Sequence, residues 1–411
     1  MVRSSSLALV AAVVLVSAGG PVPTRSVAAQ VPGSFGATRA PSIQVDGADR
    51  LYLAMSVATS PTGGPHSQIF FTWSVDGGVT WDNLPKTRNL SSSPGEAFGP
   101  CLVTKTIERA RAYIVYHDNS TGVTQTYFIR SKKKSNFRSP VNITGGFVGA
   151  FSPRIAVDSA ENLSVVWGDT TGGGRRVIFL RSTDLGITFG SKQVISRSPA
   201  AAFDPDIAID RSDAINVAWQ DTALVRSAIM FTRSTDSGRS FSEPRAISLG
   251  PGDATEVHLT SDAAGRLHAL WVDSSAGDHQ IFYSRSTDSG GTWSAPINVS
   301  NLAGANCHKP AILVFDDTAY IAYDESERTS QVFLAKSADG GLSFGAPVQI
   351  SNASPRTGRG HSPAMVRDST GTLHIVWVDS SVVGNDDGLL YYSNTKDGRT
   401  FQPQRLIFAA L

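Results

Sequence analysis

The chain is short of cysteine, of methionine and of any charge surplus. Two cysteines in 411 residues exclude a disulfide-framework fold and a zinc module built on cysteine clusters. Only 4 methionines, set against 38 glycines and 21 prolines, favour many turns over long helices. Lys+Arg 36 against Asp+Glu 35 gives a net charge of +1, which argues against nucleic acid or an anionic membrane surface as the main partner. No segment approaches the 18 apolar residues of a membrane span. What is present is 41% hydrophobic residues, enough for a sizeable core and too many for global disorder.

The amino terminus reads as a secretory signal peptide. Arg3 precedes the apolar run Leu7 to Val16, and the small residues Val27-Ala28-Ala29 offer a cleavage point before Gln30. Residues 1–29 are therefore expected to be removed, residues 30–38 to form a short N-terminal segment, and the mature chain to be secreted or periplasmic.

The remainder is one repeat. Ser182-Thr183-Asp184-Leu185-Gly186-Ile187-Thr188-Phe189 returns as Ser234 to Phe241 and as Ser286 to Trp293. Ser74 to Trp81 and Ser337 to Phe344 are further copies. Asn394 to Phe401 is a variant with Lys396 in the Asp position, and Ser131 to Phe137 is a shortened, lysine-rich remnant. The closing aromatics Trp81, Phe137, Phe189, Phe241, Trp293, Phe344 and Phe401 are spaced by 56, 52, 52, 52, 51 and 57 residues. Within each period lie four short β-branched or aromatic runs bounded by Gly, Asp, Asn or Ser. In one copy these begin at Pro153, Leu163, Val177 and Gln193. Four short strands per period of this length make a propeller blade. The expected fold is all-β: a seven-bladed β-propeller of four-stranded antiparallel blades over residues 39–411, with no strand exchanged between the termini.

Ser-x-Asp-x-Gly-x-Thr-Trp turns at this period resemble the Asp-box (BNR) repeats of the sialidase-like β-propeller superfamily. The resemblance implies a propeller and an extracellular glycan or glycoconjugate as partner; a six-bladed sialidase-type ring is the alternative architecture. It covers residues 39–411 and speaks for fold more than for activity, since such propellers include sialidases, other glycan-active enzymes and proteins without known catalysis. Arg154-Ile155 is similar to the Arg-Ile of the sialidase Phe-Arg-Ile-Pro motif, whose arginine binds the substrate carboxylate, although Pro153 and Ala156 replace the flanking Phe and Pro.

Residues present in most blades are read as structural. The box Asp should accept hydrogen bonds within its own turn, the Gly should adopt positive φ, and the aromatic should plug the gap between strands. Trp167, Trp219, Trp271 and Trp377 are core residues of the second strand, and the acid closing that strand caps the next loop. Arg130, Arg181, Arg233 and Arg285 are structural pairing residues. His268 and His374 are packing residues.

What differs between blades is where function should lie. The proline opening each inner strand aligns the blades at Pro41, Pro100, Pro153, Pro205, Val257, Pro310 and Pro363. Beside it, charge enters only as Arg154, Asp204, Asp206, Glu256, His258 and Lys309; His308, His361 and Arg359 lie nearby. Asp204 and Glu256 are the candidate catalytic carboxylates, one as general acid and the other as base or nucleophile. His258 is the candidate proton acceptor of an alternative uronate lyase chemistry. Arg154, Asp206, Lys309, His308, His361 and Arg359 are candidate substrate-binding residues. A glycoside hydrolase, a non-catalytic glycan- or protein-binding propeller, and an ion-pair girdle that simply neutralises its acids all fit this pattern. No His-Glu-x-x-His or paired-Cys motif supports zinc, no cofactor is expected, and Asn385-Asp386-Asp387 reads as a solvated loop. Cys101 and Cys307, on different sides of the ring, should be free thiols, and a monomer is expected. Chain recovered after export with its own leader should begin at Gln30, and N-terminal sequencing that finds Met1 instead would remove the signal-peptide reading.

Overall fold

In a computed structural model, the chain is described at residues 38–59, 67–81, 88–105, 111–133, 136–145, 149–197, 202–222, 226–326, 331–352, 360–379 and 388–408. The signal peptide, most of the 30–38 segment, Arg359 and Asn385-Asp386-Asp387 lie outside these residues. The described strands form seven sheets, each a meander in which sequential strands pair antiparallel. This is a seven-bladed propeller rather than the six-bladed alternative. Blade 3 is representative, with strands Ala150–Val157, Leu163–Asp169, Arg176–Ser182 and Gln193–Val194. Among the described residues no helix is long and apolar enough to cross a membrane.

Blade 2 departs from the pattern where its sequence does. Its third strand, Gln125–Lys133, pairs with both Val141–Asn142, the ordinary outer strand, and Asn136–Phe137, a tight return that stands in for the box turn.

The inner strands share one irregularity. In every blade the register between first and second strands slips at the aligned position, a proline in six blades and Val257 in blade 5, for instance between Phe151 and Arg154 and between Phe203 and Asp206. Proline, with no N–H to give the ladder, suits this bulge, and Val257 shows that the bulge also forms without it. The preceding residue takes positive φ in blades 2 to 7: Gly99, Ser152, Asp204, Glu256, Lys309 and Ser362. Because two of these are serines, the bulge belongs to the fold. The charged side chains are what the individual blades add.

The box turn is a latch between blades. Within it, Asp184 accepts from Thr188 N–H at 2.9 Å and from Thr188 Oγ1 at 2.6 Å, while Ser182 Oγ donates to Asp184 Oδ1 at 2.8 Å and accepts Gly186 N–H at 2.9 Å. These bonds, led by the one from Thr188, hold the Asp184 carboxyl down to about 2, and Asp236 and Asp288 are lowered likewise. The closing aromatic does not plug its own sheet, as the sequence suggested. It packs edge-on against the third-strand aromatic of the preceding blade: Phe189 on Phe128, Phe241 on Phe179, Trp293 on Phe231 and Phe344 on Tyr283, with centroids 5.0–5.4 Å apart. In blade 7 the acid is displaced by one residue. Thr395 and Asp397, not Asn394 and Lys396, make the turn's bonds, and the loop is one residue tighter.

The other repeated residues behave as read. Trp167, Trp219, Trp271 and Trp377 are fully buried, and the first three donate their indole N–H to the closing acids Asp169, Asp221 and Asp273. Asp169 and Asp273 also cap the loops that follow. Arg181 and Arg233 pair with Asp158 and Asp210 at 2.6 and 2.5 Å. His268 and His374 are held between a tyrosine and an aspartate of their own blades. Cys101 and Cys307 are unbridged.

The latch generates a prediction with an internal control. A Cβ on Gly290 (φ +83°) would stand 2.5 Å from the Phe231 ring, whereas one on Gly122 (φ +85°) meets nothing within 4 Å. Gly122→Ala bears only the backbone term, about 1–2 kcal/mol. Gly290→Ala adds overpacking of about 1–3 kcal/mol. Urea unfolding should rank them in that order, and equal losses would remove the latch from the account.

Candidate functional site

Two concentric sets of side chains surround the channel entrance, both aimed by the proline bulge. The residue after the proline lines the channel: Ser42, Cys101, Arg154, Asp206, His258, Ala311 and Ala364. Where it carries an acceptor, it takes the N–H of the next inner strand. Ser42 Oγ accepts from Leu102 at 3.0 Å, Cys101 Sγ from Ile155, and Asp206 Oδ2 from Leu259 at 2.8 Å. This bond stitches neighbouring inner strands and leaves the second oxygen of Asp206 for other work.

That oxygen faces Arg154 Nε at 3.6 Å, and His258 Nδ1 lies 3.6 Å from Asp206 Oδ2. Both separations exceed a good hydrogen bond, so guanidinium, carboxylate and imidazole are adjacent without being locked together. Burial pushes the His258 imidazole below its ordinary value; Asp206 opposes the shift and Arg154 adds to it. His258 is therefore neutral near neutral pH. Burial also raises the Cys101 thiol, against the field of Arg154.

The residues before the proline form the outer set, and their hydrogen bonds run round the ring. Ser152 Oγ donates to Asp204 Oδ1 at 2.5 Å. Lys309 N–H donates to Glu256 Oε2 at 2.6 Å, and His308 Nδ1 lies 3.2 Å from Glu256 Oε1. Asp204 is thus held from blade 3 and Glu256 from blade 6, in opposite directions. Burial would raise Glu256, but the bonds from His308 and the Lys309 N–H outweigh it and bring the carboxyl below its ordinary value. His308 moves the other way, raised by its bond to Glu256 against its own burial. His361, buried, places Nδ1 3.0 Å from Ser362 Oγ. Lys309 has its side chain exposed.

One residue that the sequence reading passed over joins this cluster. Asp324 stands opposite His308 in the strand register, is 5% exposed, and leaves Oδ1 without a hydrogen-bond partner among the described residues. Burial raises its pKa to about 7, with Glu256 adding to the shift and Lys309 and His308 opposing it. The signal was in the sequence: Asp324 immediately precedes the closing acid Glu325, where other blades have His117, Gly168, Gln220, Val272 or Val378. Aligning the closing acid alone hid its neighbour. His117, at the equivalent place in blade 2, is lowered to about 3 by burial and then by Arg154, and is neutral.

The neighbouring stretch of the entrance is aromatic. Phe98, Phe151 and Phe203 precede the outer set in blades 2 to 4. The Arg175 guanidinium lies 4.2 Å from the Phe203 ring centre and 5.8 Å from that of Phe151. The entrance therefore carries a carboxylate–histidine cluster in blades 5 and 6 beside an aromatic and cationic wall in blades 3 and 4. Among the described residues no three His, Cys, Asp or Glu side chains are grouped to hold a metal ion.

Asp324 makes stability pH-dependent in a stated direction. Its folded pKa of about 7 lies above the ordinary 3.8, so the fold favours the neutral acid. The contribution is complete below about pH 4 and is lost as pH rises toward 7. The Tm of Asp324→Asn should fall less than that of the parent between pH 4 and 7. Parallel Tm profiles would show that Asp324 titrates normally.

No family model matches the chain, and no curated protein matches it. Solved structures do. A protein of unknown function from Dyadobacter fermentans is 16% identical over 91% of this chain and 99% of its own, with a TM-score of 0.57. An ulvan lyase solved with -[GlcA(1-4)Rha3S]- is 11% identical over 92% of this chain and 95% of its own, with a TM-score of 0.54. A Hadza microbial sialidase is 15% identical over 81% of this chain and 75% of its own, with a TM-score of 0.49. At these identities the likeness is one of fold, which the chain shares with the first two of these structures.

Proposed function

We propose that the chain is an exported glycan-acting propeller whose leading chemistry is hydrolysis of a glycosidic bond at the channel entrance. One observation carries this reading. Asp324, a buried carboxyl raised to about 7, shares a cluster with Glu256, whose carboxyl is held ionised by His308 and the Lys309 N–H. Two acids driven apart in pKa are what general acid and base need at one pH. In this proposal Asp324 gives its proton to the leaving glycosidic oxygen. Glu256 takes a proton from the attacking water, or attacks the anomeric carbon itself. Arg154, beside Asp206, supplies a cation for a substrate carboxylate, and Lys309 and His361 flank the entrance. Asp204, held by Ser152 and exposed, is the acid that meets solvent first and serves substrate binding better than proton transfer.

A uronate lyase is the second reading, favoured by one feature. His258 is kept neutral beside Arg154, so it can accept the proton next to a carboxylate that Arg154 neutralises. A neighbouring fold acts on a uronate-containing polysaccharide, but the likeness extends to the fold alone. A non-catalytic glycan binder uses the same cations and aromatic wall without turnover.

A panel of sialosides, neutral glycans and uronate polysaccharides, assayed for reducing ends and for unsaturated products, separates these readings. Hydrolysis predicts reducing ends without unsaturation. It also predicts a kcat lower by about 10²-fold or more in Glu256→Gln and Asp324→Asn with Tm little changed, and an alkaline limb near pH 7. Full activity in both variants overturns the carboxylate assignment. Unsaturated products lost in His258→Ala favour the lyase. Binding without turnover, weakened by Arg154→Ala, favours the binder.

A further inference from the structure

At the opposite end of the strands from the entrance, blade 2 carries a cavity of about 410 Å³ lined by Arg111, Tyr113, Arg130, Lys132, Arg138 and the Leu185 turn of blade 3. Its charge follows from what blade 2 has lost. In blades 3 and 4 the third-strand arginines Arg181 and Arg233 are neutralised by the turn aspartates Asp158 and Asp210. Arg130 occupies the same place in blade 2, but the sequence has Lys105 where the turn aspartate recurs. Arg130 donates instead to the Leu185 carbonyl at 3.0 Å. The box acid is lost as well, since the sequence has Lys133 in its position. Two acids of the blade pattern are gone and four cations converge. Among the described residues the ion pair recorded for these cations is Arg111 with Glu161, at 2.8 Å.

A second observation points to a ligand. Tyr113 lines this cavity, and its hydroxyl, sealed from solvent, finds no acceptor among the described residues. Arg111 stands beside it, but a guanidinium only donates, so the hydroxyl proton is left without an acceptor. In blade 1 the equivalent Tyr52 donates to the turn aspartate Asp46 at 2.9 Å. The Tyr113 hydroxyl therefore lacks the acceptor anion that blade 1 provides at this point. Burial, then Arg138, lowers the Arg130 guanidinium, as uncompensated like charge requires.

We propose that this cavity binds a tetrahedral oxyanion, the sulfate or phosphate group of a substituted sugar. Arg130 and Arg138 would clamp the anion, and Tyr113 would donate to it. A guanidinium fork matches such an oxyanion two bonds at a time. A few hundred cubic ångströms is the size of a site for a small organic ligand rather than a bare ion. The proposal does not depend on the reading of the entrance, because no residue is shared.

The test is calorimetry on the full mature chain with sodium sulfate, sodium phosphate, glucose 6-sulfate and glucose 6-phosphate, against sodium chloride at matched ionic strength. We expect saturable binding of at least one ester. It should weaken about 10-fold in Tyr113→Phe, a loss of one hydrogen bond to a charged group, and disappear in Arg130→Gln/Arg138→Gln. Glu256→Gln should bind normally, which distinguishes this site from the entrance. Binding of the inorganic ions alone keeps the oxyanion chemistry and removes the sugar. Circular dichroism checks that the double variant is folded, and Lys132→Gln offers a milder charge deletion if it is not. Absence of saturable binding by all four probes, or binding unchanged in Tyr113→Phe and Lys132→Gln, overturns the proposal.

Discussion

The ring depends on one joint, the contact of each box turn with the blade before it. A four-stranded sheet has two apolar faces and cannot bury both by itself. The glycine at positive φ clears space for the preceding blade's third-strand ring, and the closing aromatic meets that ring edge-on. The serine–aspartate bonds hold the turn that presents both residues. The aspartate therefore acts at a distance: it shapes a surface loop, and the loop fastens two blades. Its carboxyl is spent on bonds within its own turn, which is why its recurrence in most blades carries no catalytic message.

The entrance rests on a different constraint. A bulge near the start of each inner strand, at a proline in six blades and at Val257 in the fifth, interrupts the ladder and turns two side chains per blade toward the axis. The scaffold thus presents fourteen positions of fixed aim and leaves their chemistry open. Charges occupy them in blades 3 to 6, and the smallest side chains line the channel in blades 6 and 7. Variation of this kind is cheap for the fold because each bulge is held by backbone geometry rather than by the side chain it displays.

Most of the architecture was legible because it was repeated. A box turn seen once is a weak signal; at a near-constant spacing it fixes blade number, strand order and the structural role of Arg181, Trp219 and His374. Two details escaped for the same reason. The partner of the closing aromatic lies in the previous repeat, and a pattern read along the chain does not display a contact made across it. In blade 7 a one-residue contraction let Asp397 do the work assigned by spacing to position 396. The candidate site was legible only as a list. Alignment on the proline found Glu256, His308 and Lys309, yet not that the two acids Asp204 and Glu256 are tied to opposite neighbours. Asp324 was missed because its significance comes from burial opposite His308, a relation between strands that composition does not encode.

The seam between the first and last blades uses fastenings that other junctions use. Ser369 donates its N–H to Asp49 as Ser159 does to Asp213, and Tyr392 receives Trp81 as Phe128 receives Phe189. Neither end blade borrows a strand from the other terminus. The ring is consequently a closed series of near-equivalent joints in which chain order is almost arbitrary. Joining Phe408 to Thr38 and cutting the chain between any two other blades would move the seam without changing the kinds of contact that close it.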